Sequence, residues 1–140
     1  MMSAACFSKE FLELAGKDGE GVLIGTSFFY GSEDEKVKSF SEKYTEIYGS
    51  EPSTFAAQVY DGTNAILYAI EKGESADRAD IVKNLADTDF KGVTGKITFD
   101  EEGNCPKEQV LLEIKNGAYT EIPGVLKSQA DWEESRGFAK

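Results

Sequence analysis

The sequence contains no histidine and only two cysteines, Cys6 and Cys105. Histidine is the commonest general base and the commonest zinc ligand, so its absence argues against most acid–base, nucleophilic and zinc chemistry. The two cysteines are far apart and form no CxxC pair, which excludes a sequence-local zinc or redox site. A disulfide between them remains a second possibility, but two unrelated free thiols are the favoured interpretation.

Positive charge is also scarce. Lysine and arginine number 15 against 26 acidic residues, which gives a net charge of −11. This charge repels DNA, RNA and anionic membranes, so no nucleic-acid partner is expected. No apolar run approaches the roughly 20 residues of a membrane span, and MMSAACFSKEF lacks the basic and apolar regions of a signal peptide. As written, the sequence predicts a cytoplasmic chain.

Sequence motifs for catalysis, metal binding or phosphate binding are missing as well. The acidic loop after Phe99, with sequence DEEGN, has its glycine in the fourth place, whereas a calcium loop needs it in the sixth. Neighbouring carboxylates on a strand point to opposite faces and cannot flank one substrate bond. No SxxK, GxGxxG or Walker A motif occurs. We therefore expect neither an enzyme nor a metal or cofactor site, and we read the loop as a polar turn around Gly103.

The remaining pattern is that of a globular α/β chain. With 140 residues, of which 40% are hydrophobic, it is long enough for one compact domain with a core. Ser8 is placed to cap a short helical turn that ends at Gly16. Residues 21–29, GVLIGTSFF, form an almost wholly apolar run, which is typical of a strand buried on both faces of a parallel sheet.

Three longer helices are predicted next. Ser32 and Glu35 fit a capping box for the first, the second begins near Ser53, and the third covers residues 77–85. Their predicted core faces are formed by Val37, Phe40, Tyr44 and Ile47 in the first, by Phe55, Val59, Ile66 and Ile70 in the second, and by Ile81, Val82 and Leu85 in the third.

Strand patterns return after the third helix. The segment GVTGKITF alternates apolar and polar residues, as a half-buried strand does, and Asn116-Gly117 predicts a hairpin. From Pro123 the chain reads as a polar tail. Phe55 stands apart from the other aromatic residues because it lies in the first turn of a helix, where a side chain can face a ligand cleft. Core packing is the alternative for Phe55.

Residues 8–120 resemble the C-terminal part of the type I periplasmic solute-binding proteins of branched-chain amino acid ABC transporters. The most specific stretches are YGSEPSTFAAQVYDG and FKGVTGKITFDEEGN. The resemblance implies a C-terminal fragment of a fold with two α/β lobes around a ligand cleft. It assigns residues 1–29 and 104–122 to lobe two and residues 30–100 to lobe one, within a single partial domain whose tail is residues 123–140.

The resemblance also implies roles for particular residues. Phe55 matches an aromatic residue that lines the ligand pocket. The chain is expected to cross between lobes at two hinges, which comprise Ser27, Phe28, Phe29, Phe99, Asp100 and Gly103. The acidic residue that meets the ligand's ammonium group in this family falls near Ala4, so it is missing here.

The function implied is that of the solute-binding component of an amino acid importer. Its partners would be a small amino acid and a membrane permease, and the parent family is periplasmic or extracellular and lipid-anchored. As a truncated segment, the chain is expected to bind ligand weakly or not at all alone. The alternative is a self-associating assembly module without ligand binding, and in either case we expect a homo-oligomer, since the apolar run 21–29 lacks its flanking units.

Overall fold

The structure is a computed structural model, and it describes residues 1–122; the predicted polar tail, residues 123–140, lies outside the described residues. The chain divides into two compact units. One combines Met1–Phe29 with the described residues from Glu108 onward, and the other is the continuous segment Tyr30–Lys107. We call them unit 1 and unit 2 and describe each by itself.

Four α-helices and five strands make up the described chain, so the predicted α/β class is confirmed in its mixed form. The helices are α1 (Lys9–Ala15), α2 (Glu35–Tyr48), α3 (Thr54–Gly73) and α4 (Arg78–Leu85). The strands are β1 (Leu23–Thr26), β2 (Asp89–Gly92), β3 (Gly95–Thr98), β4 (Val110–Lys115) and β5 (Ala118–Glu121).

Unit 1 contains an antiparallel sheet in the order β1-β4-β5. The prediction that residues 21–29 form a parallel strand buried on both faces is therefore wrong. Only four of these residues are in the strand, and Ile24 and Thr26 are fully buried while Leu23 and Gly25 are partly exposed. A single parallel bridge joins Met2 to the other edge of β1. The run is apolar, but its burial alternates because one face alone is covered.

The β4–β5 hairpin confirms the prediction made from Asn116-Gly117. Both residues have positive φ, 53° and 72°, as a two-residue turn matched to the strand twist requires. Glu20 supports the turn from outside the hairpin, since its carboxylate accepts hydrogen bonds from the backbone N–H groups of Asn116 at 2.7 Å and Gly117 at 3.4 Å.

Tyr119 ties the beginning of the chain to this hairpin. Its hydroxyl oxygen lies 3.1 Å from the backbone N–H of Ser8, which donates to it, and 2.6 Å from the carbonyl oxygen of Cys6. Its ring packs edge-on against Phe7 at 4.8 Å between centroids. Ser8 caps α1 through the N–H of Phe11, as the sequence predicts. Cys6 and Cys105 are free thiols.

Unit 2 consists of α2, α3, α4 and a β2–β3 hairpin. The N-cap of α2 is Asp34, whose carboxylate accepts from the N–H of Lys36, so the predicted Ser32–Glu35 capping box is wrong. The hydroxyl of Ser32 instead accepts from the N–H of Asp34. Ser53 caps α3 and Asp77 caps α4, both in agreement with the predicted starts.

Residues 93–99 do not form the single strand that alternation predicts. Val93 and Thr94 make the turn of the β2–β3 hairpin, and Gly95 has a φ of 92°. The turn is held by Asp61 of α3, whose carboxylate accepts from the N–H groups of Val93 at 2.9 Å and Thr94 at 2.7 Å. The carboxylate of Asp61, more than 30 residues away in the sequence, thus stabilises a turn where the local alternation predicts a continuous strand.

Candidate functional site

A groove of about 900 Å³ lies between α2, α3 and β2 of unit 2. Its walls carry six aromatic side chains: Phe40, Tyr44, Tyr48, Tyr60, Tyr68 and Phe90. Such a volume and such a lining are typical of surfaces that accept apolar groups.

The aromatic rings of the groove form two groups. On α2, Phe40, Tyr44 and Tyr48 follow one another at intervals of four residues, which places them on one side of the helix. The Phe40 ring lies 4.8 Å from the Tyr60 ring of α3, and Tyr44 lies 4.5 Å from Tyr48. Farther along α3, Tyr68 lies 5.9 Å from Phe90 of β2.

Lysine side chains mark the polar rim of the groove. Lys36, Lys43 and Lys91 are among its lining residues. The ammonium of Lys91 is bonded to the carboxylate of Asp34, and this hydrogen bond lowers the pKa of Asp34 from its ordinary value. Lys36 donates to the carbonyl oxygen of Lys91. Glu71 also lines the groove, so its polar rim carries charges of both signs.

Asp61 lies at the boundary between the groove and the hairpin turn. It is 3% exposed, and one of its oxygens also accepts from the Thr94 hydroxyl at 2.6 Å. The Lys107 ammonium in turn lies 2.9 Å from the Thr94 hydroxyl oxygen. Because several donors satisfy this carboxylate, its role here is to hold the backbone rather than to transfer protons.

The large apolar residues of α3 are mostly exposed. We define the α3 apolar face as Phe55, Val59, Tyr60, Ile66 and Leu67, whose exposed fractions run from 46% to 69%. The sequence predicts Val59 and Ile66 as core, and this is wrong. The buried side of α3 instead carries small residues, which include Ala57, Ala65 and Ala69.

Phe55, the predicted ligand contact, is 58% exposed and lies in the first turn of α3, outside the aromatic lining of the groove. Core packing, the alternative considered for it, does not hold. The N-terminal end of α3 is open to solvent at this side chain, so the side chain is free to meet a ligand or another polypeptide.

The predicted hinge residues fall in both units. Ser27, Phe28 and Phe29 follow β1 at the end of the first stretch of unit 1, and Phe28 is 1% exposed. The direction of the chain there is fixed by Thr26, whose hydroxyl accepts from the N–H of Phe28 at 3.3 Å and donates to its carbonyl oxygen at 3.1 Å.

Phe99, Asp100 and Gly103 belong to unit 2, after β3. The Asp100 carboxylate accepts hydrogen bonds from the N–H groups of Asn104 at 2.7 Å and Glu102 at 3.1 Å, and Gly103 has a φ of 81°. These bonds, above all the one from Asn104, lower the pKa of Asp100. The Asp100 carboxylate thus accepts hydrogen bonds from the backbone amides of its own loop. Across residues 1–122 no group of three or more histidine, cysteine, aspartate or glutamate side chains is arranged to hold a metal ion.

Sequence reasoning missed the aromatic groove. It assigned Phe40, Tyr44 and Ile47 to a core face of α2, whereas the buried residues are Val37 and Ser41, and Ile47 is 71% exposed. The available signal was the unusual run of three aromatic residues at intervals of four. Val82 of α4, also predicted as core, is 63% exposed.

No helix within residues 1–122 combines the length and the apolar character that crossing a bilayer demands.

Comparison with known proteins relates this arrangement to one family. A family model described as periplasmic binding protein matches residues 1–117. The leucine-binding protein of Thermotoga maritima is 32% identical and superposes with a TM-score of 0.80, covering 91% of this chain and 37% of that chain. The branched-chain amino acid transporter substrate-binding protein of Streptococcus pneumoniae, in complex with isoleucine, is 30% identical with a TM-score of 0.80, covering 90% and 36%.

A third structure, a branched-chain amino acid ABC transporter protein of Rhodospirillum rubrum, is 34% identical with a TM-score of 0.71, covering 86% of this chain and 36% of that one. The chain thus spans little more than a third of the length of these relatives and aligns with part of a type I fold. Proteins of this family are binding components of transporters and not enzymes, in agreement with the sequence-based expectation. The resemblance predicted from the sequence is confirmed: the chain belongs to the periplasmic binding protein family.

Proposed function

We propose that the chain acts as part of the solute-binding component of an ABC-type importer for branched-chain-like amino acids. The observation that carries this proposal is the match to the Thermotoga maritima leucine-binding protein, at 32% identity and a TM-score of 0.80 over 91% of the chain. The mechanism is non-covalent. Two lobes close over an amino acid, and the closed form docks on a membrane permease.

In this proposal unit 2 corresponds to the lobe-one segment, residues 30–100, and unit 1 to lobe two. The change of unit after Phe29 supports a crossing at Ser27, Phe28 and Phe29. The return after Lys107 follows shortly after Phe99, Asp100 and Gly103, which form the second crossing. The internal hydrogen bonds of the Asp100 loop give that crossing a defined shape while it stays in solvent.

Phe55 is the residue of this chain that we propose to contact the ligand. It is exposed at the first turn of α3, and the positive end of the helix dipole at that turn favours a carboxylate nearby. A phenyl ring there provides apolar contact for an aliphatic side chain. The other contacts of a complete site are supplied by the part of the fold that the relatives carry in the rest of their length.

A binding experiment tests the proposed function in two settings. Calorimetric titration of the 140-residue chain with leucine, isoleucine or valine is expected to give little or no heat. A chimera in which this chain replaces the matching segment of the Thermotoga maritima protein is expected to bind leucine. A folded chimera that binds none of the three amino acids contradicts the proposal.

Within the chimera, Phe55→Ala is expected to weaken leucine binding by about 1–3 kcal/mol, because it removes most of an apolar contact. Gln58→Ala is the control, since Gln58 is an exposed polar residue one turn along α3. Calorimetry of both variants at one temperature checks this. Equal affinities of the two variants for leucine would show that Phe55 does not contact the ligand.

The second candidate function is a self-associating assembly module without ligand binding. The exposed α3 apolar face is the observation that favours it, because soluble monomers seldom leave several large apolar residues uncovered on one helix. Sedimentation equilibrium distinguishes the candidates. A stable homo-oligomer at micromolar concentration, together with a chimera that binds no amino acid, supports the assembly module.

A further inference from the structure

The turn of the β4–β5 hairpin places two mutually reactive groups side by side. Asn116 is exposed, and it is the only asparagine of the sequence that is followed by glycine. The backbone nitrogen that follows an asparagine can attack the carbonyl carbon of its side chain, and glycine hinders this attack least because it has no side chain. A Cβ atom at Gly117 would meet nothing within 4 Å, so the space about the turn is open.

The other asparagines of the chain are held more firmly. Asn64 and Asn84 lie within α3 and α4, where the backbone is fixed by the hydrogen bonds of the helix. The side-chain amide of Asn84 also donates to a carbonyl oxygen of α3 at 3.2 Å, and that of Asn104 donates to the Asp100 carboxylate at 3.1 Å. Within residues 1–122, no such hydrogen bond restrains the side chain of Asn116.

Glu20 holds the nitrogen atoms of this turn. Its carboxylate accepts from the N–H of Asn116 at 2.7 Å and, by a longer bond, from the N–H of Gly117 at 3.4 Å. The attack requires the Gly117 nitrogen to give up its proton and to turn toward the Asn116 side chain. A carboxylate at that N–H opposes loss of the proton, because it would then face a second negative charge. The shorter bond fixes the backbone of the turn.

We propose that Asn116 is a site of spontaneous deamidation and that Glu20 slows the reaction by holding the turn. The Gly117 nitrogen bonds to the side-chain carbonyl carbon of Asn116, and the amide nitrogen leaves as ammonia with the Gly117 proton. Water then opens the succinimide ring at either carbonyl carbon, which gives aspartate or isoaspartate. Nothing is oxidised or reduced, and water is the only co-reactant. This chemistry is independent of amino acid binding.

Either product changes the hairpin. An aspartate adds a carboxylate beside that of Glu20, and like charges repel. An isoaspartate carries the backbone through the Cβ atom, so the turn is longer than the two-residue turn that sets the register of β4 with β5. Tyr119 of β5 holds the beginning of the chain through its hydroxyl. A change at the turn therefore reaches the N-terminal segment of unit 1.

Mass spectrometry of the aged protein tests the reaction. The complete 140-residue chain is incubated at mildly alkaline pH, and its peptides are analysed for the mass increase that replaces an amide by an acid. Fragmentation distinguishes aspartate from isoaspartate. We expect Asn116 to convert faster than Asn64 and Asn84 of the same sample. Conversion of Asn116 at the rate of the helical asparagines, or more slowly, overturns the proposal.

Substitutions of Glu20 test its protective role. Glu20→Ala is expected to raise the rate at Asn116 by roughly two- to tenfold, since it removes the hydrogen bonds to the turn. Glu20→Gln keeps an acceptor without the charge and should give an intermediate rate. Glu13→Ala is the matched control, because Glu13 is an exposed glutamate of unit 1 that pairs with Lys9. An unchanged rate in Glu20→Ala, or an equal increase in Glu13→Ala, contradicts the role of Glu20.

Incubation in concentrated urea separates the folded turn from the local sequence. Glu20 and Asn116 are 96 positions apart along the chain, so unfolding removes their contact. The unsubstituted chain and Glu20→Ala should then convert at one common rate, above that of the folded unsubstituted chain. A difference between them that persists in urea would show that Glu20 does not act through the fold. Equal rates for the folded and unfolded forms of the unsubstituted chain would show that the turn gives no protection.

The converted protein gives the last measurement. Ion exchange separates it by its additional negative charge, and its thermal unfolding midpoint is expected to lie a few degrees below that of the fresh chain. Asn116→Gln is the control for other effects of ageing, because glutamine forms the corresponding ring far more slowly, and its midpoint should not change on incubation. Equal midpoints for the converted and fresh forms would reject the predicted effect on the hairpin.

Discussion

At the scale of single residues, Gly92 is fixed by its neighbour Asp61. A Cβ atom at Gly92 would lie 2.4 Å from both carboxylate oxygens of Asp61, closer than non-bonded atoms approach. The carboxylate cannot easily move away because three hydrogen bonds from Val93 and Thr94 hold it. The side chain that bends the hairpin thus also requires a glycine beside it.

We therefore expect Gly92→Ala to reduce the free energy of unfolding by about 1–3 kcal/mol. Gly62→Ala, in the interior of α3, is the matched control, because its Cβ would meet nothing within 4 Å. That control should raise stability by about 0.5–1 kcal/mol through helix propensity. Urea unfolding of both variants checks the pair, and a neutral Gly92→Ala would contradict the role given to Asp61.

Asp100 gives a prediction for pH. Hydrogen bonds from Asn104, first its backbone N–H, hold the pKa of Asp100 below its ordinary value. Since the pKa in the folded state lies below that in the unfolded state, the stabilising contribution is complete above about pH 4 and is lost as pH falls through the folded value.

In an NMR titration, the amide signals of Asn104 and Glu102 should move together with a midpoint below the ordinary aspartate value. In the Asp100→Asn variant, this pH-dependent movement of the two amide signals should be absent. A midpoint at or above the ordinary aspartate value would show that the carboxylate does not order the loop.

Residue-level roles were only partly predictable from the sequence. The positive φ of Gly103 and the cap at Ser8 follow from local rules that involve near neighbours. The role of Asp61 did not, because its partners lie more than 30 residues away. The exposure of Val59 and Ile66 also escaped prediction, since large aliphatic residues on an amphipathic pattern normally pack inside.

At the scale of elements, the start of α2 distinguishes two caps that the sequence allows. Asp34 accepts from the N–H of Lys36 at 2.9 Å and carries a negative charge at the positive end of the helix dipole. Ser32 is two residues outside the helix and bonds the N–H of Asp34 instead.

Asp34→Ala is accordingly expected to destabilise the protein by about 1 kcal/mol, and Ser32→Ala by clearly less. Chemical denaturation measures the difference, and hydrogen exchange at the first turn of α2 shows where it arises. A larger loss in Ser32→Ala would restore the capping box that the sequence suggested.

Helices were predicted better than strands, for a physical reason. A helix closes its hydrogen bonds within one segment, so capping residues and spacing describe it locally. Strands depend on partners elsewhere. Residues 21–29 became a four-residue antiparallel strand because β4 lies beside them, and residues 93–99 became half of a hairpin because Asp61 turns the chain.

At the scale of the whole molecule, the net charge opposes the self-association that the exposed α3 apolar face favours. The charge of −11 at pH 7 disappears near the isoelectric point of about 4.5. Repulsion between copies is then absent while the α3 apolar face remains exposed.

Light scattering of the isolated chain is expected to rise as the pH falls from 7 toward 4.5, and added salt at pH 7 should act in the same direction. Val59→Glu/Leu67→Glu should reduce the rise, whereas Gln58→Glu should change it little. Scattering that is independent of both pH and these substitutions would show that the face does not attract other copies.

The division of the chain has a consequence for the order of events during synthesis. Unit 2 is continuous, so all of its residues are available once Lys107 has left the ribosome. Unit 1 must wait, because its first stretch is completed by β4 and β5 and by the Tyr119 hydroxyl that bonds Cys6 and Ser8. Chains grow by roughly 5–20 residues per second. Within this sequence, β1 is therefore synthesised several seconds before its partner strand β4, and its sheet is completed only after all residues of unit 2 are available.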